Sequence, residues 1–143
     1  MGTAYEADVI AWANEQAALL RSGQLSALDI ENIAEEILDV GKSEQRELAN
    51  RMAVLLAHLL KWKFQPERRG SSWETTIQGQ RESIKRRIRK TPSLKASLVD
   101  VDWWSDAWVD AIVMAERETR LNDFPRTCPW TTDNILAIGW LPT

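Results

Sequence analysis

The stretch Leu48-Ala49-Asn50-Arg51-Met52-Ala53-Val54-Leu55-Leu56-Ala57-His58-Leu59-Leu60-Lys61-Trp62-Lys63-Phe64-Gln65-Pro66 decides the fold. Leu48, Met52, Leu55, Leu56, Leu59 and Trp62 recur at helical spacing and form one apolar stripe. The spacing predicts a helix from about Ser43 to Gln65. Pro66 lacks the next amide and disfavours helical backbone at Gln65, so the helix must stop there. Ser71 and Glu74 then have the spacing of a capping box, which predicts a further helix with Trp73, Ile77, Ile84 and Ile88 inward.

Working outward, the amino-terminal side predicts a helix from about Tyr5 to Arg21, with Tyr5, Val9, Trp12, Gln16, Leu19 and Leu20 on one face and Gly23 past its end. Ser26 with Asp29 reads as another capping box. It precedes a helix that reaches Val40 and turns Ile30, Ile33, Ala34 and Ile37 to the core. Gly41 is read as a break or kink between this helix and the next. On the carboxyl-terminal side, Thr91-Pro92-Ser93 leads into a short helical turn through Leu98. A helix from about Asp102 to Leu121 follows, with Trp103, Trp104, Ala107, Trp108, Ala111, Ile112, Met114 and Ala115 covering nearly half its circumference. Pro125 and Pro129 bracket an irregular stretch before a short last helix within Thr132–Gly139. The expected fold is all-α: one compact irregular bundle of about five main helices plus a short carboxyl-terminal helix, in a single domain over residues 1–143.

Composition agrees with that class and removes others. A chain of 143 residues with 44% hydrophobic and 27% charged side chains can bury a core without staples. Cys128 is the only cysteine, so no intrachain disulfide is available and a reducing cytoplasm is the expected location. Acidic Glu6 and Asp8 stand where a secretory signal would need positive charge, and no run of membrane-spanning length occurs. Net charge is −3, unevenly spread: −6 over residues 1–60, +7 over 61–90 and −4 over 91–143. An acidic protein thus wears one basic segment.

The candidate site residues fall into two groups. The first is a buried polar network of His58, Arg81, Glu36, Glu44 and Glu118. His58, the only histidine, lies at the edge of the core stripe, and Glu118 falls inside the apolar arc of its helix. Buried carboxylates need partners, and Arg81 is the natural one. A metal site is not expected. The residues three and four before His58 are Leu55 and Val54, and Glu47 is eleven positions upstream, about 16 Å along a helix. The second group is a cationic surface of Lys61, Lys63, Arg68 and Arg69 at the helix corner, continued by Arg86 and Arg89. It could meet phosphates, although a pI of about 5.3 argues against a dedicated nucleic-acid binder. Most of the eight tryptophans should pack inward with their indole N–H satisfied, while Trp130 and Trp140 could cover the bundle or a partner. No phosphate loop, Gly-x-Ser-x-Gly elbow, Cys-x-x-Cys or His-Glu-x-x-His occurs, so no catalytic residue is assigned and no cofactor is expected.

With these residues in view, the chain resembles a bacterial family known only as a domain of unknown function, the one numbered twenty-nine, abundant in cyanobacteria and found in proteobacteria. The likeness covers nearly the whole chain. It rests on Tyr5-Glu6 with Asp8, Trp12, Gln16-Ala17 and Leu19-Leu20-Arg21. It continues through Leu28-Asp29, Asn32-Ile33, Glu35-Glu36-Ile37, Gly41 and Ser43-Glu44. Its most specific part is His58-Leu59-Leu60-Lys61-Trp62, followed by Gln65-Pro66, Arg68-Arg69 and Ser72-Trp73. Pro92-Ser93-Leu94, Glu118-Thr119, Phe124-Pro125 and Cys128-Pro129 complete it. Family members often carry Tyr or Phe near the positions of Trp108 and Trp130. The resemblance implies an all-helical fold and carries no activity, cofactor or catalytic residue with it.

Three functions remain in view. The leading one is a non-enzymatic module that binds another protein, or a second copy of itself, through the basic corner or the Trp-bearing tail. The second is nucleic-acid binding through that corner. The third is an enzyme or metal protein built on His58 and Glu118.

Overall fold

Asp8 starts the first helix: its carboxylate accepts from the amides of Ile10 (3.2 Å) and Ala11 (3.1 Å), and α1 runs Val9–Arg21 in the computed structural model, which describes residues 2–143. Tyr5 precedes the helix in a turn but still packs edge-on against Trp12, with centroids 4.8 Å apart. Gly23 ends the segment at φ 73°, a left-handed conformation that glycine adopts without penalty.

Helix α2 runs Ile30–Phe64 as one element, so of the break or kink expected at Gly41 the break does not occur. Gly41 does not have positive φ and therefore is no left-handed cap. A single glycine costs a long helix only about 1 kcal/mol, which 35 residues of packing and hydrogen bonding outweigh. The cap of α2 is also corrected. Asp29 itself accepts from the Asn32 amide at 3.4 Å, whereas Ser26 lies in a 3₁₀ turn over Leu25–Ala27. Helix α2 stops where Pro66 requires, and Pro66–Arg68 forms a 3₁₀ turn.

Helix α3 spans Ser71–Lys90. Its N-cap position is Gly70, with no side-chain cap bond, so Ser71 belongs to the first turn rather than capping it. A 3₁₀ helix over Pro92–Val99 leads to α4, Val101–Thr119, which Asp100 caps through the amides of Asp102 (2.9 Å) and Trp103 (3.3 Å). The short α5, Thr132–Leu136, is capped by Thr131. The fold is all-α: five helical segments of at least eight residues, one of them 3₁₀, plus α5, and no strand among the described residues. No helix among them is long and apolar enough to cross a membrane.

Two compact units divide the chain, Met1–Ser43 and Glu44–Thr143, and α2 passes from one into the other. The first unit is held by polar bonds around buried Trp12 and Gln16. The Trp12 indole donates to Asp29 at 2.9 Å, and the Gln16 carbonyl oxygen accepts from the Asp29 amide at 2.8 Å. Hydrogen bonds from Asn32 and Trp12 hold the Asp29 carboxyl below the usual carboxylate range. The second unit has the apolar core: Leu48, Met52, Leu55, Leu56, Leu59 and Leu60 of α2 against Ile77, Ile84, Leu94, Trp108, Phe124 and Ile135. Each such leucine contributes about 1.5–3 kcal/mol by leaving water.

A methyl group at Gly41 would meet no atom within 4 Å. Gly41→Ala should therefore raise stability by about 0.5–1 kcal/mol, seen as a melting midpoint higher by about 2–4 °C in circular dichroism. A lower midpoint would contradict helical backbone at this position.

Candidate functional site

Lys61 is the one buried lysine among the described residues, and the polar groups around it form the best-defined constellation in the second unit. It sits on α2 one turn after His58. Its ammonium bonds the Glu118 carboxylate of α4, approaches His58 Nε2 at 3.5 Å, and lies 5.3 Å from the centre of the Trp73 ring on α3. Three helices thus converge on one cation, which is 6% exposed, while the Glu118 side chain is 51% exposed. The expectation that Glu118 lies in the apolar core is corrected: α4 ends at Thr119, and in that last turn its inward arc has nearly reached solvent.

His58 Nδ1 is 2.9 Å from the Val54 carbonyl oxygen. A carbonyl only accepts, so Nδ1 carries the proton and Nε2 offers its lone pair to Lys61. Burial is the main force holding His58 below the usual imidazole range, and the Lys61 charge adds to it; the Val54 carbonyl and Glu118 act the other way. Both ring nitrogens are engaged. Among the described residues, no three His, Cys, Asp or Glu side chains converge as a metal ion would require.

The other members of the expected network lie elsewhere. Buried Arg81 takes no carboxylate. Its Nε donates to the Ile135 carbonyl (2.7 Å) and its Nη2 to that of Trp140 (2.6 Å), tying the carboxyl-terminal tail to α3. Burial lowers the Arg81 pKa from its ordinary value. Glu44 lies 3.7 Å from Arg87. Glu36 belongs to the first unit, where it accepts from the Tyr5 hydroxyl and pushes that phenol up to about 12. Of the five network residues, the structure brings together His58 and Glu118, joined through Lys61.

The cationic corner is correspondingly reduced. Lys61 is withdrawn into the pair just described. Arg69 Nε donates to the Trp62 carbonyl at 2.6 Å and its guanidinium lies 5.3 Å from the Trp62 ring, so it caps the carboxyl-terminal end of α2. Lys63 is half-buried, 5.8 Å from the centre of the Phe64 ring. Arg68, Arg86 and Arg89 remain exposed. Trp130 is sandwiched edge-on between Trp108 and Trp140, at 5.8 and 5.9 Å, so the tail covers the core of its own unit. The indoles of Trp12, Trp103, Trp104 and Trp108 donate to protein acceptors. Cys128 is half-buried, and burial pushes its thiol up, away from the thiolate a nucleophile needs.

An exposed surface escaped the sequence reading. Ile30, Ile33, Ala34 and Ile37 were expected to face a core, yet Ile30 is 67% and Ile37 66% exposed, with Leu38 and Val40 beside them equally open. Helical periodicity shows which residues share a face; it does not show whether that face is covered. The residues themselves carried no signal that this face is open, because Glu35 and Asp39 fall on the opposite side of the helix, as they would behind a buried stripe.

Two measurements test the constellation. Glu118→Gln leaves the buried ammonium without its counter-charge, whereas Lys61→Met leaves a carboxylate that water can solvate. Glu118→Gln should cost about 1–3 kcal/mol in denaturant unfolding and Lys61→Met less; the reverse order would refute the burial of Lys61. For His58, the folded pKa lies below the unfolded 6.5, so its stability contribution is complete above pH 6.5 and is lost as pH falls through that value toward the folded pKa. Melting midpoints between about pH 5 and 8 should drop on the acid side, and His58→Gln should flatten that limb. An unchanged profile would count against the assignment.

No curated protein and no solved structure matches the chain. Residues 4–141 match the family described as Domain of unknown function DUF29, and on that coverage the chain belongs to this family.

Proposed function

We infer that this protein is a non-enzymatic helical interaction module of the cytoplasm, and that residues 1–143 act as one domain whose two units share α2. The observation that carries this reading is the open apolar face of the first unit: Ile30, Ile37, Leu38 and Val40 on α2 stand in water, with Val9, Ile10 and Leu20 exposed on α1. Ile30 and Ile37 lie two turns apart on one side of the helix with Leu38 and Val40 on its two flanks, and apolar side chains grouped in this way suit an interaction surface better than scattered ones do.

The charge around the face selects the partner. Glu31 shares the flank of Leu38, Glu35 and Asp39 continue along the other side of the helix, and residues 1–43 carry a net −6. Pairing with a second copy would bring two such units together at a repulsive cost. An amphipathic helix of another protein, apolar on one face and basic at its edges, complements both features. The non-enzymatic part of the reading is supported by the engagement of both His58 nitrogens and the raised Cys128 thiol.

A synthetic Leu/Lys amphipathic helix should bind the purified protein, and a Leu/Glu helix of the same pattern should not. Ile37→Asp should weaken that binding, and capture of the native-host partner, by at least about tenfold while leaving the helical spectrum unchanged. Loss of the partner only on Arg86→Glu with Arg89→Glu would move the interface to the basic helix and overturn the proposal. So would a dimer in light scattering that Ile37→Asp dissolves.

A further inference from the structure

The cations at the end of α3 are more numerous than the helix dipole requires. Arg87, Arg89 and Lys90 stand in its last turn, where unpaired carbonyls favour positive charge. Arg51 comes to the same place from α2, and Arg86 joins from the preceding residue. Arg51, Arg86, Arg87 and Lys90 line a cleft of about 300 Å³ together with the hydroxyl-bearing Ser83 and Thr91.

The charges in this cleft do not balance. Glu44 is the only carboxylate lining it, 3.7 Å from Arg87. Glu47, beside it on α2, bonds Arg51 at 3.1 Å and Arg87 at 3.4 Å. Two carboxylates therefore answer two guanidinium groups. Among the described residues, Arg86 and Lys90 have no carboxylate within 4.0 Å, which leaves two positive charges unanswered. Arg51 and Arg87, held by their carboxylates, present pre-positioned planar donors, and two hydroxyls add neutral ones.

We propose that this cleft binds the phosphate group of a small phosphorylated molecule, with Arg86 and Lys90 as its counter-charges and Arg87, already oriented by its carboxylates, as a further donor. A doubly charged oxyanion matches the excess charge, and guanidinium forks fit its geometry. The volume suits a small ligand. A long polyanion is disfavoured because the segments on either side of 61–90 carry −6 and −4 and would repel it.

Calorimetry at low ionic strength tests this with pyrophosphate, inorganic phosphate and a short single-stranded oligonucleotide as probes. Pyrophosphate should bind, more tightly than phosphate, and the affinity should fall about tenfold or more in Arg86→Glu with Lys90→Glu. Arg89→Glu, which changes the same charge outside the cleft, should have a much smaller effect. Glu44→Gln should raise the affinity a few-fold by removing the carboxylate that competes for Arg87, a gain that a purely structural cluster would not show. No binding at millimolar pyrophosphate, or equal binding by the double variant, overturns the site. An oligonucleotide that binds more tightly than pyrophosphate and is lost in the same double variant overturns the small-ligand class.

Discussion

A lysine buried in a helix that is itself packed over more than half its circumference must have its charge answered, and much of the second unit follows from that constraint. Between Leu48 and Lys61, α2 buries side chains in nearly every direction except that of Val54 and His58. Lys61 falls on this less-covered side, where α4 supplies Glu118 and α3 supplies Trp73. An ammonium has three donors; one bonds carboxylate, one faces the His58 lone pair, and the aromatic face lies beside the remainder. The tautomer of His58 is set by the same arrangement, because its other nitrogen already donates to Val54.

The basic segment 61–90 shows how much of a charge run can be absorbed within a fold. Lys61 is paired with Glu118, Arg69 caps α2, Arg81 holds two tail carbonyls, and Arg87 shares Glu44 and Glu47. The Arg81 arrangement has a local cause. Ile135 lies in the last turn of α5, whose carbonyls lack intrahelical partners, and a guanidinium can satisfy one of them while reaching the Trp140 carbonyl beyond. The tail that bears Trp130 and Trp140 is thereby fixed over Trp108, and its aromatic surface is used inside the unit.

The sequence made the helix class, the α2 stripe and the stop at Pro66 legible because these depend on spacing and on a missing amide, both local properties. It misplaced the caps for a reason that is also local but finely balanced. Ser26 and Ser71 have the right spacing for a box, yet Asp29, three residues on, and Gly70, one residue back, occupy the cap positions. Gly41 was misread because glycine's statistical preference for helix ends says nothing about the packing on either side. The site was less legible still. Residue identity nominated His58, Glu118 and Arg81, but the partners that define them are a lysine first assigned to the surface and two backbone carbonyls, and nonlocal pairing of that kind leaves no periodic trace.

The continuity of α2 gives the exposed apolar face its meaning. In a flexible arm Ile30 and Ile37 could fold against their own chain in many ways, whereas on a helix, seven residues apart, they are held two turns apart on one side. In the first unit α2 carries exposed apolar side chains; in the second its side chains from Leu48 to Lys61 are mostly buried. Exposed apolar area of this kind lowers solubility unless something covers it, and the net −6 of residues 1–43 opposes the close approach of a second such unit. On the interaction reading proposed above, the side chains that leave the first unit without a large core of its own would form a surface already ordered on its helix before a partner arrives.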